Sequence, residues 1–205
     1  MLVKIDEFDP MSLGFDKVNV SSSTSVIIPK VYDGEPCPML QLPWVKMSCY
    51  GIPKKSKYFP TDKDRQFMHI PLQGELLEQF KAIDRIMSTD EIKTEIFGFN
   101  IGQTMELCPL VKNGNKGEYV KIKLDTDYET GNIKTKMLVN GEVATDVSTL
   151  PLFEYQLPYS SNIAMIIKLV KVWTMNKRFG LTIKAIKVSV KQPEQPKETE
   201  VDFLD

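Results

Sequence analysis

The run NIAMIIKLVKVWTMNKRFGLTIKAIKVSV, residues 162–190, constrains the fold more than any other part of the chain. Two stretches dense in Ile and Val flank the turn MNKRFG. Periodicity alone allows a helix over the first stretch. Branched β-carbons pack well on a pleated surface and lose rotamer freedom in a helix, so both stretches read as strands.

Other strand signals precede this pair. TSVIIPKVYDG is a β-branched run ending in a Gly turn, and QFMHIPL is a short apolar strand. In MLQLPWVKMSCYGIP, Leu40, Leu42 and Trp44 share a face, while Pro43 restricts the segment to an edge strand or a bulge. GEYVKIKLDTD sets Tyr119, Lys121 and Lys123 against Val120, Ile122 and Leu124. GNIKTKMLVNGEV repeats the alternation, with Lys134 and Lys136 opposite Ile133, Thr135 and Met137. Turn chemistry in DTDYETG between them predicts a hairpin with one apolar and one lysine-bearing face. The helical signal is confined to residues 74–97, where Leu76, Leu77, Phe80, Ile83 and Met87 recur at three- and four-residue spacing. Ser88, Thr89 and Glu91 predict a break and a recapped second helix ending at Gly98. Short strands with one helical insertion imply a mainly β barrel or sandwich. Residues 1–22 read as an N-terminal extension, 23–191 as the folded domain and 192–205 as a flexible acidic tail.

Catalytic chemistry finds little support. The single histidine, His69, lies in an apolar strand with no nameable partner to orient it as a base. One His and three scattered Cys give no zinc-ligand spacing, and no phosphate-cradling glycine loop occurs. The acids of DTDYE and STDEIKTE read as solvated turns and helix faces. No enzyme, metal or cofactor is expected. The odd, dispersed cysteines suit a reducing intracellular compartment. MLVKIDEFDPMS carries no signal-peptide core, and NIAMIIKLVKVW is interrupted by Lys168 and Lys171, so no membrane association is expected.

Lysines interleaved with aromatic residues remain. One group is Lys54, Lys55, Lys57 and Tyr58 in a basic loop. A second is Tyr119, Lys121, Lys123, Lys134 and Lys136 on the expected hairpin. A third is Lys171, Trp173, Lys177, Arg178 and Phe179 around the last turn. Cations that follow phosphates, beside rings that stack on bases, suit single-stranded nucleic acid. Outward lysines also blunt sheet edges, so a structural or interaction β-protein without nucleic-acid affinity, such as a virion or assembly component, is the alternative. Net charge is −1, but residues 193–205 carry −4 of it and the remainder is +3. Such asymmetry marks an interaction tail.

The segments MIIKLVKVWTMNKRFGLTIKAIKVSV and EIFGFNIGQTMELCPLVKNGNKGEYVKIKLDTD resemble the phage-type single-stranded DNA-binding proteins of large nucleocytoplasmic DNA viruses. The closing acidic tail with its aromatic adds to the likeness, which runs in order through residues 38–205. The resemblance implies an OB-like five-stranded barrel with extra strands and an inserted helix, coating single strands in viral replication, recombination and repair. It places DNA on the three lysine-aromatic groups, with RNA and a second copy of the chain as further partners. The host cytoplasm (a viral factory) or the nucleus is the expected setting. Glu198, Glu200, Asp202, Phe203, Leu204 and Asp205 would form the partner-recruiting tail, whose acids compete with phosphates for the groove. This tail is shorter and less acidic than the family pattern and ends Phe-Leu-Asp.

Overall fold

A computed structural model describes residues 2–21, 24–31 and 36–193, and the tail residues 194–205 lie outside them. The first third contributes strands β1 (Leu2–Lys4), β2 (Leu13–Ser21), β3 (Thr24–Val31), β4 (Met39–Lys46) and β5 (Phe67–Pro71). Helices α1 (Gly74–Met87), α2 (Asp90–Phe97) and α3 (Phe99–Gly102) follow. Next come β6 (Glu106–Leu107), β7 (Val111–Gly114), β8 (Gly117–Leu124), β9 (Lys136–Val139) and β10 (Glu142–Val143). Helix α4 (Leu150–Tyr155) leads into β11 (Asn162–Met175) and β12 (Arg178–Lys191).

The protein is mainly β, built on one large mixed sheet with the hydrogen-bonded order β1-β4-β11-β12-β8-β5. The expected strands β3, β4, β5, β11 and β12 form. The late pair is a hairpin of two 14-residue strands. Asn176 and Lys177 both take the left-handed conformation (φ 48° and 60°), a two-residue turn that matches strand twist. Pro43 lies at a β-bulge, because Val45 and Leu42 of β4 face Ile163 and Met165 of β11 with two residues opposing one. β1 flanks β4 only over Met39–Gln41, so Pro43 lies past the last residue pair on that side.

The helical region also forms as its periodicity predicts. Leu76, Phe80, Ile83 and Met87 are the buried stripe of α1. The Thr89 side chain accepts a hydrogen bond from Ile92 N–H to start α2, and Gly98 (φ 80°) ends it. No helix among the described residues is long and apolar enough to cross a membrane.

Four expectations need correction. Residues 2–21 are no loose extension: β1 pairs with β4 and β2 with β3, and Ile5, Phe8, Leu13 and Phe15 are buried in the main core. A boundary after residue 22 would cut the β2–β3 hairpin. Second, β8 and β9 do not pair. Each runs parallel to β12, β8 at Lys184 and Ala185, β9 from Lys187 to Val190. They act as one interrupted strand with residues 125–135 looped out between them. Thr135 pinches that loop: its buried hydroxyl donates to Ala185 O (2.7 Å) and accepts from Asp125 N–H (2.8 Å). The turn chemistry is real, with the Asp127 carboxylate accepting from the N–H groups of Glu129 and Thr130. It closes a local loop instead of reversing a strand. Third, the sheet stays open, since its path ends on β1 and β5 with no ladder joining them among the described residues. Fourth, helix is not confined to residues 74–97: α4 forms at Leu150–Tyr155, with Pro151 in its first turn, where a missing N–H costs nothing.

Candidate nucleic-acid interface

Strand β8 buries Val120, Ile122 and Leu124, so its pleat sends Tyr119, Lys121 and Lys123 outward. β7 turns into β8 through a tight hairpin that sets Lys112 opposite Tyr119. Helix α1 fixes this hairpin: the Asp84 carboxylate accepts from Leu110 N–H (2.7 Å) and Val111 N–H (3.0 Å). Burial pushes the Asp84 carboxyl up, while those two hydrogen bonds pull it down. Across the groove, Lys171 of β11 stands opposite Thr182 of β12, and Trp173 opposite Gly180. The space between these strands is a groove of about 440 Å³ lined by Lys112, Lys121, Lys123, Lys171, Trp173 and Thr182, among others.

The Trp173 indole lies directly over Gly180. A Cβ there would sit 2.7 Å from Cζ2 of the ring, so only glycine lets the ring approach the strand this closely. Lys121 extends over the Phe67 ring, its Nζ 3.7 Å from the centroid. Burial, then Lys123 and Lys112, hold its ammonium below the ordinary lysine range. Among the described residues, none of Lys112, Lys121, Lys123 and Lys171 has an ion-pair partner. Four cations therefore converge without an ion pair among the described residues, beside one ring, and the Asp84 carboxylate acts on Lys112 only through its charge.

Lys121 links the groove to a cluster of rings. His69 lies 4.5 Å from Tyr119 and 5.1 Å from Phe67, and Tyr50 is 4.9 Å from Tyr119. Burial and the charge of Lys121 lower the His69 pKa, so its imidazole is held neutral by its neighbours. Tyr50 donates to Gly117 O (2.7 Å), which holds the cluster to the β7–β8 turn. Among the described residues no group of three or more His, Cys, Asp or Glu side chains could hold a metal ion.

The residues expected from sequence divide into several environments. Lys121, Lys123, Lys171 and Trp173 meet in the groove, and Tyr119 borders it in the ring cluster. Lys54, Lys55, Lys57 and Tyr58 are exposed on a separate loop, where Lys55 pairs with Asp62 (3.4 Å) and Lys57 sits 5.0 Å above Tyr58. That loop is anchored by buried Arg65, which donates to Asp62, Pro53 O and Glu154. Lys134 is bound to Asp127 (2.7 Å), and Lys136 is exposed on β9. Lys177 is exposed at the hairpin tip, and Arg178 pairs with Glu106 (3.3 Å).

Phe179 is corrected outright. It is fully buried and packs edge-on against Phe97 at 5.2 Å, so it has no face to offer a base. The tail residues Glu198, Glu200, Asp202, Phe203, Leu204 and Asp205 lie outside the described residues. Sequence reasoning missed Lys112, Gly180 and Thr182. A two-residue turn at Asn176-Lys177 would have supplied the latter two, because it pairs 173 with 180 and 171 with 182 in one unbroken register.

No family model matches the chain. One stretch is 28% identical over 96 residues to a protein of Acanthamoeba polyphaga mimivirus described as "Uncharacterized protein R505". The match takes in 42% of this chain and 21% of that protein, so the chain spans about a fifth of the length of the viral relative it is similar to.

Proposed function

We propose that this chain is a non-catalytic protein that binds single-stranded DNA without sequence preference, in viral replication, recombination and repair. The observation that carries this reading is the groove in which Lys112, Lys121, Lys123 and Lys171 stand without ion-pair partners among the described residues, beside the Trp173 ring. Phosphates answer the uncompensated cations, and an unpaired base can stack on the indole. A duplex keeps its bases stacked internally and offers no such ring contact, which favours a single strand. An OB-like use of the open sheet belongs to this proposal: the β11–β12 hairpin and β8 would serve as the strand face that OB folds use. Recruitment of replication proteins through the acidic tail, and binding of RNA, are parts of the same proposal.

Fluorescence anisotropy of labelled oligo-dT, titrated at two salt concentrations, tests it. Affinity should fall linearly on log–log axes with a slope of at least about −3, from four phosphate contacts at roughly 0.7 each for single strands. Unchanged anisotropy at low salt with excess protein overturns the reading. A defined large oligomer without DNA affinity in light scattering would favour the assembly-protein alternative.

A further inference from the structure

The lysines do not end at the groove. Following β12 away from the turn, successive rows of the same outward face can be read from the strand register. Thr182 stands beside Lys171, Lys184 beside Lys168 and Lys123, and Lys187 beside Ile166 and Lys136. Ser189 stands beside Ala164 and Leu138. The last residue of the strand, Lys191, places its Nζ 4.4 Å over the ring of Trp44. Trp44 is 48% exposed, although it sits in the middle of a sheet-forming segment. The bulge at Pro43–Trp44 shifts the ring out of the core register set by Leu40 and Leu42. Trp44, Leu138, Ser189 and Lys191 line a second, larger cleft of about 790 Å³.

We infer that the nucleic-acid site is one continuous track along the outer face of β12, starting at Trp173 and ending at Trp44, with Lys187, Lys136 and Lys191 carrying phosphates between them. This rests on the single-strand reading of the groove. The chain has two tryptophans in all, and both lie on this face, one at each end of the same strand. Among the described residues, Lys136, Lys187 and Lys191 have no ion-pair partner, whereas Lys184 is held by Asp125 (2.7 Å) and serves the fold. From Gly180 to Lys191 a strand rises about 35 Å at roughly 3.3 Å per residue. That length holds about ten stacked nucleotides at 3.4 Å each, or fewer if extended, within the roughly 4–16 that an OB-type surface occupies. The Trp44 end is thus a second stacking platform that sets how long a strand must be for full affinity.

The test compares wild type, Trp44→Ala and the double variant Lys187→Ala/Lys191→Ala on dT4 and dT12, with thermal melts of each protein. Both variants should bind dT12 about five- to hundredfold more weakly than wild type, the range expected for one stacked base. Their dT4 affinity, held by the groove, should stay within about twofold. Equal dT12 affinity in all three proteins overturns the track and leaves the groove reading intact. A wild-type protein that binds neither oligonucleotide overturns the groove reading itself. Should Trp44→Ala lower the melting temperature, the lysine pair, half-buried Lys187 and exposed Lys191, decides the matter alone.

Discussion

At the scale of single residues, the neighbours of Lys121 determine what it can do. Burial and two adjacent cations lower its pKa, so its ammonium is neutralised more easily than an ordinary lysine's. A bound phosphate favours the charged form. Oligo-dT affinity should therefore be full below the lowered Lys121 pKa and decline as pH rises through it, ahead of an ordinary lysine near 10.4. Lys121→Arg keeps its charge and should remove this early decline, which titrations between about pH 7 and 10 will show. The free protein has the opposite trend. Between the lowered folded value and the ordinary unfolded one, the unfolded chain binds more protons, so stability rises with pH across that window. Gly180 works at the same scale with no charge at all. Its missing Cβ is what lets the Trp173 ring pack against the strand, and its role was legible in the sequence only once the turn length was known.

Among the elements, β8 and β9 show what local pattern reveals and what it hides. Their alternation assigned every face: Val120, Ile122, Leu124, Ile133, Thr135 and Met137 are buried, and Lys121, Lys123, Lys134 and Lys136 are exposed. The expected partner was wrong, because alternation of period two is the same whichever strand lies alongside. Thr135 decided the pairing. Replacing Thr135 by Val keeps the shape but leaves Asp125 N–H without its buried acceptor. That change should cost about 1–3 kcal/mol, read as a lower urea midpoint with an unchanged slope. An unaltered midpoint would mean that the hydroxyl does not hold the loop. The helices were more legible than the strands. Their stripe, cap and glycine stop are local signals, and α1 and α2 answer to them within a residue or two.

On the scale of the whole molecule, the N-terminal residues belong to the core. Ile5 and Phe8 are 2% and 4% exposed, and burial of such side chains stabilises by about 1.5–3 kcal/mol each. Deleting residues 1–12 should therefore lower the melting temperature by roughly 10 °C or more in calorimetry, given about 2–4 °C per kcal/mol at this size. A melting temperature unchanged by the deletion would restore the view of this segment as an appendage. The open path of the sheet matters here too, since it spreads the outer faces of β8, β11, β12 and β9 into one surface and so brings lysines distant in sequence into adjacent rows.

The sequence by itself determined the identity of most strands, the helical insertion with its internal break, the alternation of buried and outward residues, and the concentration of lysines and rings on the outward sets. These depend on backbone period and side-chain type over a few residues. Only the tertiary structure decided which outward sets face one another. It separated Trp173, packed against Gly180, from Phe179, turned into the core against Phe97. It set Lys112 beside Lys121, brought Lys171 across the groove from both and moved Lys134 away onto Asp127. The reason is physical. Which strand pairs with which is fixed by competition among distant backbone hydrogen bonds and by shared burial, and neither leaves a period in the sequence.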